Sequence, residues 1–209
     1  MQRSVPLPGS LSNVAPGAWR YARVPLFAAL PLAFINPPLA VGCLLVAAGV
    51  LWFHRDPERS PPPSGVVAPA DGRVSVLRSE GDRIRLGVFM NVTDVHVNRA
   101  PMGGTVRDVE HTPGKHLPAF TKESERNERV RIDCGEIEVT LIAGAIARRI
   151  HPYVDPGDDL ERGDRIGHIS FGSRADVLLP PRYEEGDVRV ERGQRVRAGE
   201  TVLAARPDA

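Results

Sequence analysis

The sequence predicts a mainly β domain, a small barrel or sandwich, preceded by an N-terminal apolar helical membrane anchor. Three observations carry that prediction. Gly and Pro number 20 each, and after Phe53 they recur every few residues between short Val- and Ile-rich runs, as in many short strands joined by turns. Two segments match at an offset of 36 residues, Val154, Gly157, Leu160, Gly163, Asp164 and Ile166 corresponding to Val190, Gly193, Val196, Gly199, Glu200 and Val202. From Val24 to Phe53 there is no charged side chain, and Leu, Ala, Val and Phe dominate.

Taken in order, residues 1–23 read as a tail. They contain no apolar core and end in Arg20-Tyr21-Ala22-Arg23, unlike a cleaved signal peptide. Residues 24–53 are the most lipid-compatible part of the chain, but Pro25, Pro31, Pro37 and Pro38 interrupt the first half. Only Leu39–Phe53 is free of proline, which is short for a span of roughly 20 residues. A helical hairpin turning at Asn36-Pro37-Pro38 is therefore expected, lying in or re-entering the bilayer. Arg20 and Arg23 on one flank and Arg55 and Arg59 on the other would put both ends on the cytoplasmic side of the cell membrane.

Residues 54–209 read as one β domain. In each repeat a β residue, a Gly, a β residue, and then Gly with an acid describe two strands joined by tight turns in which Gly supplies a positive φ. Gly65–Val74 supplies a further strand-turn-strand. The second repeat, Val190–Leu203, resembles the half-motif of biotinyl and lipoyl carrier domains, which implies a barrel-sandwich. Those carriers present a lysine for modification. The chain has two lysines, Lys115 and Lys122, neither in a repeat, which counts against a carrier.

Composition narrows the function classes further. The formal net charge is +1, so nothing in the balance points to nucleic acid. Cys43 and Cys134 stand in unlike settings, so no disulfide framework is expected, and no Cys or His spacing suggests a metal site. Asp94, His96 and Asn98 alternate with Val95 and Val97, which puts the three polar groups on one strand face. That suits a proton-transfer group held by neighbours, and a solvated sheet face fits the pattern equally. Asp71, before Gly72, has the form of a hairpin turn. Ser173, between Gly172 and Arg174, lies outside any Gly-x-Ser-x-Gly elbow. His111, His116, His151 and His168 stand in turn-like or mixed contexts and read as ordinary.

The combination says more than its parts. Phe53-His54-Arg55-Asp56-Pro57, Ala68-Pro69-Ala70-Asp71-Gly72, Asp94–Pro101, Pro113-Gly114-Lys115 with Leu117-Pro118-Ala119-Phe120, Asn127-Glu128-Arg129, Ala147-Arg148-Arg149-Ile150 and Phe171-Gly172-Ser173-Arg174 occur in this order. In this the chain resembles phosphatidylserine decarboxylase proenzymes of the short bacterial and archaeal type, over roughly Phe53 to Pro180.

The resemblance implies self-cleavage between Gly172 and Ser173. Ser173 Oγ would attack the Gly172 carbonyl, and elimination would leave the smaller chain with an N-terminal pyruvoyl group made from Ser173. That covalent cofactor would form a Schiff base with the amine of phosphatidylserine and accept the electrons released with CO2, giving phosphatidylethanolamine. The resemblance also assigns catalytic parts to Asp71, orienting a base during cleavage, and to His96, transferring protons during decarboxylation. It carries a membrane partner, association of the large and small chains, and a homodimer. Longer members have a second histidine where this chain has Arg99, which leaves open the base that activates Ser173. The headgroup is specified but not the tails, so a diacyl and an archaeal-type ether lipid both fit. The alternative reading is a non-catalytic barrel-sandwich module, a membrane adaptor or carrier, which would persist as one intact chain.

Overall fold

The computed structural model describes residues 14–115, 117, 119, 126–144, 149–169 and 172–206. The chain divides into two units, Met1–Glu58 and Arg59–Ala209. The first contains helices α1 (Ala18–Ile35) and α2 (Pro37–Phe53). They break at Asn36, whose side chain accepts from Leu39 N at 3.3 Å and caps α2, while Pro37 opens the new helix at a position where no donor is lost. The helices pack on each other. Ala22 and Ala29 of α1 and Ala40 and Ala47 of α2 are buried, each pair two turns apart, so that small residues lie along one side of each helix.

The expected membrane anchor is corrected here. Among the described residues no helix is long and apolar enough to cross a membrane. The turn expected at Asn36-Pro37-Pro38 does divide the uncharged run into two helices, but neither is a span. Of these, α1 extends back over Arg20 and Arg23 and contains Pro25 and Pro31, while α2 has 17 residues, about 25 Å of helix against a hydrocarbon core of about 30 Å.

Among its described residues the second unit has fourteen short strands: β1 (Val66–Val67), β2 (Gly72–Glu80), β3 (Arg83–Phe89), β4 (Val97–Arg99), β5 (Gly104–Thr105), β6 (Asp108–Thr112), β7 (Arg129–Asp133), β8 (Glu138–Ile142), β9 (Ile150–Pro152), β10 (Asp159–Leu160), β11 (Arg165–Ile169), β12 (Arg174–Leu178), β13 (Arg195–Val196) and β14 (Val202–Ala204). A seven-stranded antiparallel sheet in the order β13-β2-β3-β12-β8-β7-β6 dominates, beside a three-stranded sheet β4-β11-β9 and the pairs β1-β14 and β10-β5. The repeat does form the expected turns, with Gly157, Gly163, Gly193 and Gly199 all at positive φ. It does not set the architecture as two halves of a barrel-sandwich would. Its strands β10 and β13 are two residues long, and only β13 joins the large sheet. The longest strands, β2 and β3, lie outside it because they alternate over enough residues to bury a whole face.

That alternation is regular across the sheet centre. Ala175 of β12 lies between Val88 and Leu141, and Val177 between Leu86 and Val139. All six are buried, together with Met90, Ile132, Ile137, Ile166, Ile169 and Leu203 from surrounding segments, each large side chain contributing about 1.5–3 kcal/mol. The opposite face is charged. Arg78, Arg85, Arg129, Arg131, Arg174 and four carboxylates line a hollow of about 500 Å³. At its floor Arg174 Nε and Nη2 donate to Asp176 Oδ1 and Oδ2 at 2.7 and 3.0 Å, and Arg174 Nη1 donates to Ala119 O at 3.0 Å. Burial pushes the Asp176 carboxyl upward and the Arg174 guanidinium opposes it. The carboxylate fits because its register partner on β3 is Gly87, where a Cβ would lie 2.5 Å from Asp176 Oδ1.

Removing one member of this pair strands a buried charge. In the uncut Ser173→Ala background, Asp176→Ala is expected to lower the unfolding free energy by about 3–5 kcal/mol, measured by urea denaturation.

Candidate active site

Ser173 lies where the chain crosses from β11, in the three-stranded sheet, to β12, at the centre of the large one. Ser170 and Phe171 are outside the described residues. Gly172 has φ 69°, a left-handed backbone that glycine adopts without the Cβ penalty. Ser173 is fully buried. Its carbonyl accepts from Met90 N at 2.9 Å, while its Oγ has no hydrogen-bond partner among the described residues. A buried hydroxyl left unbonded costs about 1–3 kcal/mol, and such groups call for a reason. Here the hydroxyl belongs to the residue next after the Gly172 carbonyl in the chain.

His96 immediately precedes β4 and is buried. Its Nδ1 lies 2.9 Å from Asp94 O; a carbonyl only accepts, so Nδ1 carries a hydrogen and Nε2 is the nitrogen that can take up a proton. The His96 carbonyl accepts from Ile169 N at 3.2 Å, four residues before Ser173. Asp94 and Asn98 are also buried, which removes the solvated-face reading of this strand. Asp94 accepts from Arg195 Nη2 at 2.9 Å and Asn91 N at 2.8 Å. Asn98 Nδ2 reaches Met90 Sδ at 3.7 Å and Pro69 O at 3.4 Å.

Asp71 stands between β1 and β2, and Pro69 O accepts from Arg99 N at 2.9 Å, so its segment lies beside β4. Arg59 Nη2 donates to both Asp71 oxygens, at 3.0 and 2.9 Å, and Ala198 N donates to Oδ1 at 2.8 Å. Asp71-Gly72 is not a hairpin tip. Gly72 opens β2, and a Cβ there would lie 2.0 Å from Phe89 O, so glycine is required by the close approach of β3. Arg99 turns its Nη1 to Gly163 O at 3.1 Å. A guanidinium stays protonated near neutral pH, so Arg99 cannot supply a base in place of a histidine.

The structure thus places the segments carrying Ser173, His96 and Asp71 around β4. It turns the Asp71 carboxylate toward Arg59 and Ala198. Two further features escaped the sequence reading. Arg59, taken only as a flanking charge, is the ion-pair partner of Asp71. His168, read as ordinary, is buried, stacked on His151 at 4.6 Å between centroids and bonded through Nδ1 to Tyr153 Oη at 2.7 Å. The alternation of β11 could have marked His168 as inward-facing. His116, Lys122 and the Ala147-Arg148 part of its motif lie outside the described residues. Cys43 and Cys134 are both free thiols, and burial pushes the Cys134 thiol up, away from nucleophilic use.

A buried serine with no hydrogen-bond partner among the described residues, after a left-handed glycine and with a histidine held by a carbonyl just before β4, suits a self-processing enzyme. A sequence model of the phosphatidylserine decarboxylase family matches residues 46–204. A Halobacterium salinarum protein, provisionally named an archaetidylserine decarboxylase proenzyme, is 62% identical over 190 residues, covering 90% of this chain and 97% of the relative. Phosphatidylserine decarboxylase proenzymes of Streptomyces avermitilis and Streptomyces griseus are 53% identical over 168 residues and 46% over 213, covering 78% and 93% of this chain and 77% and 98% of their own lengths. The chain belongs to the phosphatidylserine decarboxylase family, a family of carboxy-lyases.

The Arg59 contact is measurable. Arg59→Ala is expected to lower stability by about 2 kcal/mol through loss of charge-assisted hydrogen bonds to Asp71, read from chemical denaturation of the uncut Ser173→Ala protein.

Proposed function

We propose that this chain is made as a precursor that cuts itself between Gly172 and Ser173 and then decarboxylates phosphatidylserine to phosphatidylethanolamine. The observation that carries the reading is the buried Ser173 hydroxyl, without a hydrogen-bond partner among the described residues and adjoining the carbonyl of a left-handed glycine, in a chain of this family. Ser173 Oγ bonds to the Gly172 carbonyl carbon, the C–N bond breaks, and the hydroxyl proton ends on the freed nitrogen. Elimination then removes the Cα proton to a base, forms the Cα=Cβ bond, breaks the Cβ–Oγ bond and releases the large chain as a carboxylate. The remaining dehydroalanine takes up water and loses ammonia, leaving the pyruvoyl group. Once formed, that group supplies an electron sink for loss of the substrate carboxylate.

The chain's own residues do the rest. His96 holds Nδ1–H on Asp94 O and moves protons at Nε2 during decarboxylation; Arg99 supplies no base for cleavage. Asp71, held by Arg59 and Ala198, orients a base during cleavage. The small chain stays associated because β12 is bonded to both β3 and β8, while β13 and β14 pair with β2 and β1. A lipid substrate brings the protein to the surface of the cell membrane as a peripheral protein. A non-catalytic adaptor or carrier is not favoured, since the family match covers most of the chain.

Intact-mass analysis and CO2 release from serine-headgroup vesicles, with ester-linked and ether-linked tails in separate arms, test the reading. Ser173→Ala is expected to remain one uncut, inactive chain, and a processed, active Ser173→Ala protein would overturn it. His96→Ala is expected to slow decarboxylation by roughly 100-fold.

A further inference from the structure

We infer that Gly144 is the positioning residue for the peptide bond that is cut and that the Asn127 amide holds it in place; this rests on the self-cleavage proposed above. A Cβ built on Gly144 falls 1.7 Å from Gly172 O, 2.6 Å from Gly172 C and 3.4 Å from Ser173 N. Those are the three heavy atoms of the scissile amide. Carbon–oxygen contacts close at about 3.3 Å, so a methyl group there would have to displace the carbonyl by well over an ångström. Gly144 is not among the glycines at positive φ. Space against the amide, not backbone conformation, is what excludes a side chain.

Neither backbone is free to yield. On one side, Ala143 N donates to Glu128 O at 2.9 Å, and Asn127 Nδ2 donates to Ala143 O at 2.8 Å. Asn127 is itself buried and fixed to Leu117 by two further bonds, Nδ2 to Leu117 O at 2.6 Å and Leu117 N to Oδ1 at 2.9 Å. On the other side, Ser173 O accepts from Met90 N at 2.9 Å, and Arg174 begins the central strand. The amide is therefore gripped from Asn127 through Ala143 and Gly144, and from β3 through Met90. Nucleophilic attack needs the carbonyl face presented to Ser173 Oγ at bonding approach, and a misplacement of about 1 Å costs on the order of 100-fold in rate. The ordered motif Asn127-Glu128 acquires a task in this arrangement: it is the support of the glycine that sets the carbonyl.

The test follows cleavage by intact mass after cell-free synthesis, with and without hydroxylamine, which cuts an ester at Ser173 but not the original amide. Wild type is the reference and Gly186→Ala, a glycine with nothing within 4 Å of an added Cβ, is the control. Gly144→Ala is expected to fold but melt below uncut Ser173→Ala, to cut about 100-fold more slowly than wild type, and to cut no faster with hydroxylamine than without it because the amide-to-ester shift itself is slowed. Cleavage of Gly144→Ala at the wild-type rate would overturn the inference, and so would hydroxylamine-dependent cleavage, since the shift would then be intact. If Gly144→Ala does not fold, Asn127→Ser decides: about tenfold slower cutting is expected from loss of the Nδ2 bond, and an unchanged rate overturns. Wild-type protein that never cuts would sink the proposed function itself, a result distinct from a cut wild type with a cut Gly144→Ala.

Discussion

The hydrogen-bonding of β12 on both edges is the constraint from which the rest follows. With β3 on one side and β8 on the other, the strand cannot slide without breaking two ladders, and its first residue, Arg174, is fixed in register. Ser173 is the last residue before that fixed point. Its position is thus set by the sheet centre rather than by its own loop, which is how a serine between two sheets can be held to the precision that the proposed attack on its neighbouring carbonyl demands. The apolar residues Ala175 and Val177 lock one face of the strand, and the Arg174–Asp176 pair locks the other.

That pair illustrates how a charged floor can serve order. A buried ion pair contributes little net stability because desolvation offsets attraction. Its geometry is restrictive, however: the carboxylate needs the open space above Gly87, and the guanidinium has a third bond to Ala119 O. A shift of β12 by one residue would exchange buried aliphatic side chains for these charges. The pair therefore penalises the wrong register more than it rewards the right one.

Much of this was legible in the sequence, for physical reasons that differ by region. Alternating Val and Ile runs between Gly and Pro identify strands, and the repeat glycines mark turns that the structure contains at positive φ. The order of motifs from Phe53 to Arg174 pointed to Ser173, His96 and Asp71, and the segments bearing them do adjoin β4. The helix break at Asn36 was legible, because a polar cap followed by proline ends one helix and opens the next; the anchor was not, because α1 reaches back over two arginines and α2 is shorter than a span. Pairings across the chain were invisible: Arg59 with Asp71 spans a Pro-rich stretch without periodicity, and Gly144 meets Gly172 only because β8 and β12 are neighbours. No local pattern announces a glycine whose role is to have nothing attached.

The placement of the scissile bond at the entrance to a central strand has a consequence for the life of the molecule. Under the proposed cleavage, the chain folds as a unimolecular object but continues as two polypeptides knitted through one sheet. Folding is first-order and encoded in a single chain; any later reassembly after unfolding is second-order, dilution-sensitive, and must begin from a fragment whose first residue is no longer an amino acid. The folding programme is in that sense run once and then erased, and the persistence of the finished enzyme rests on how slowly its central strand can leave the sheet.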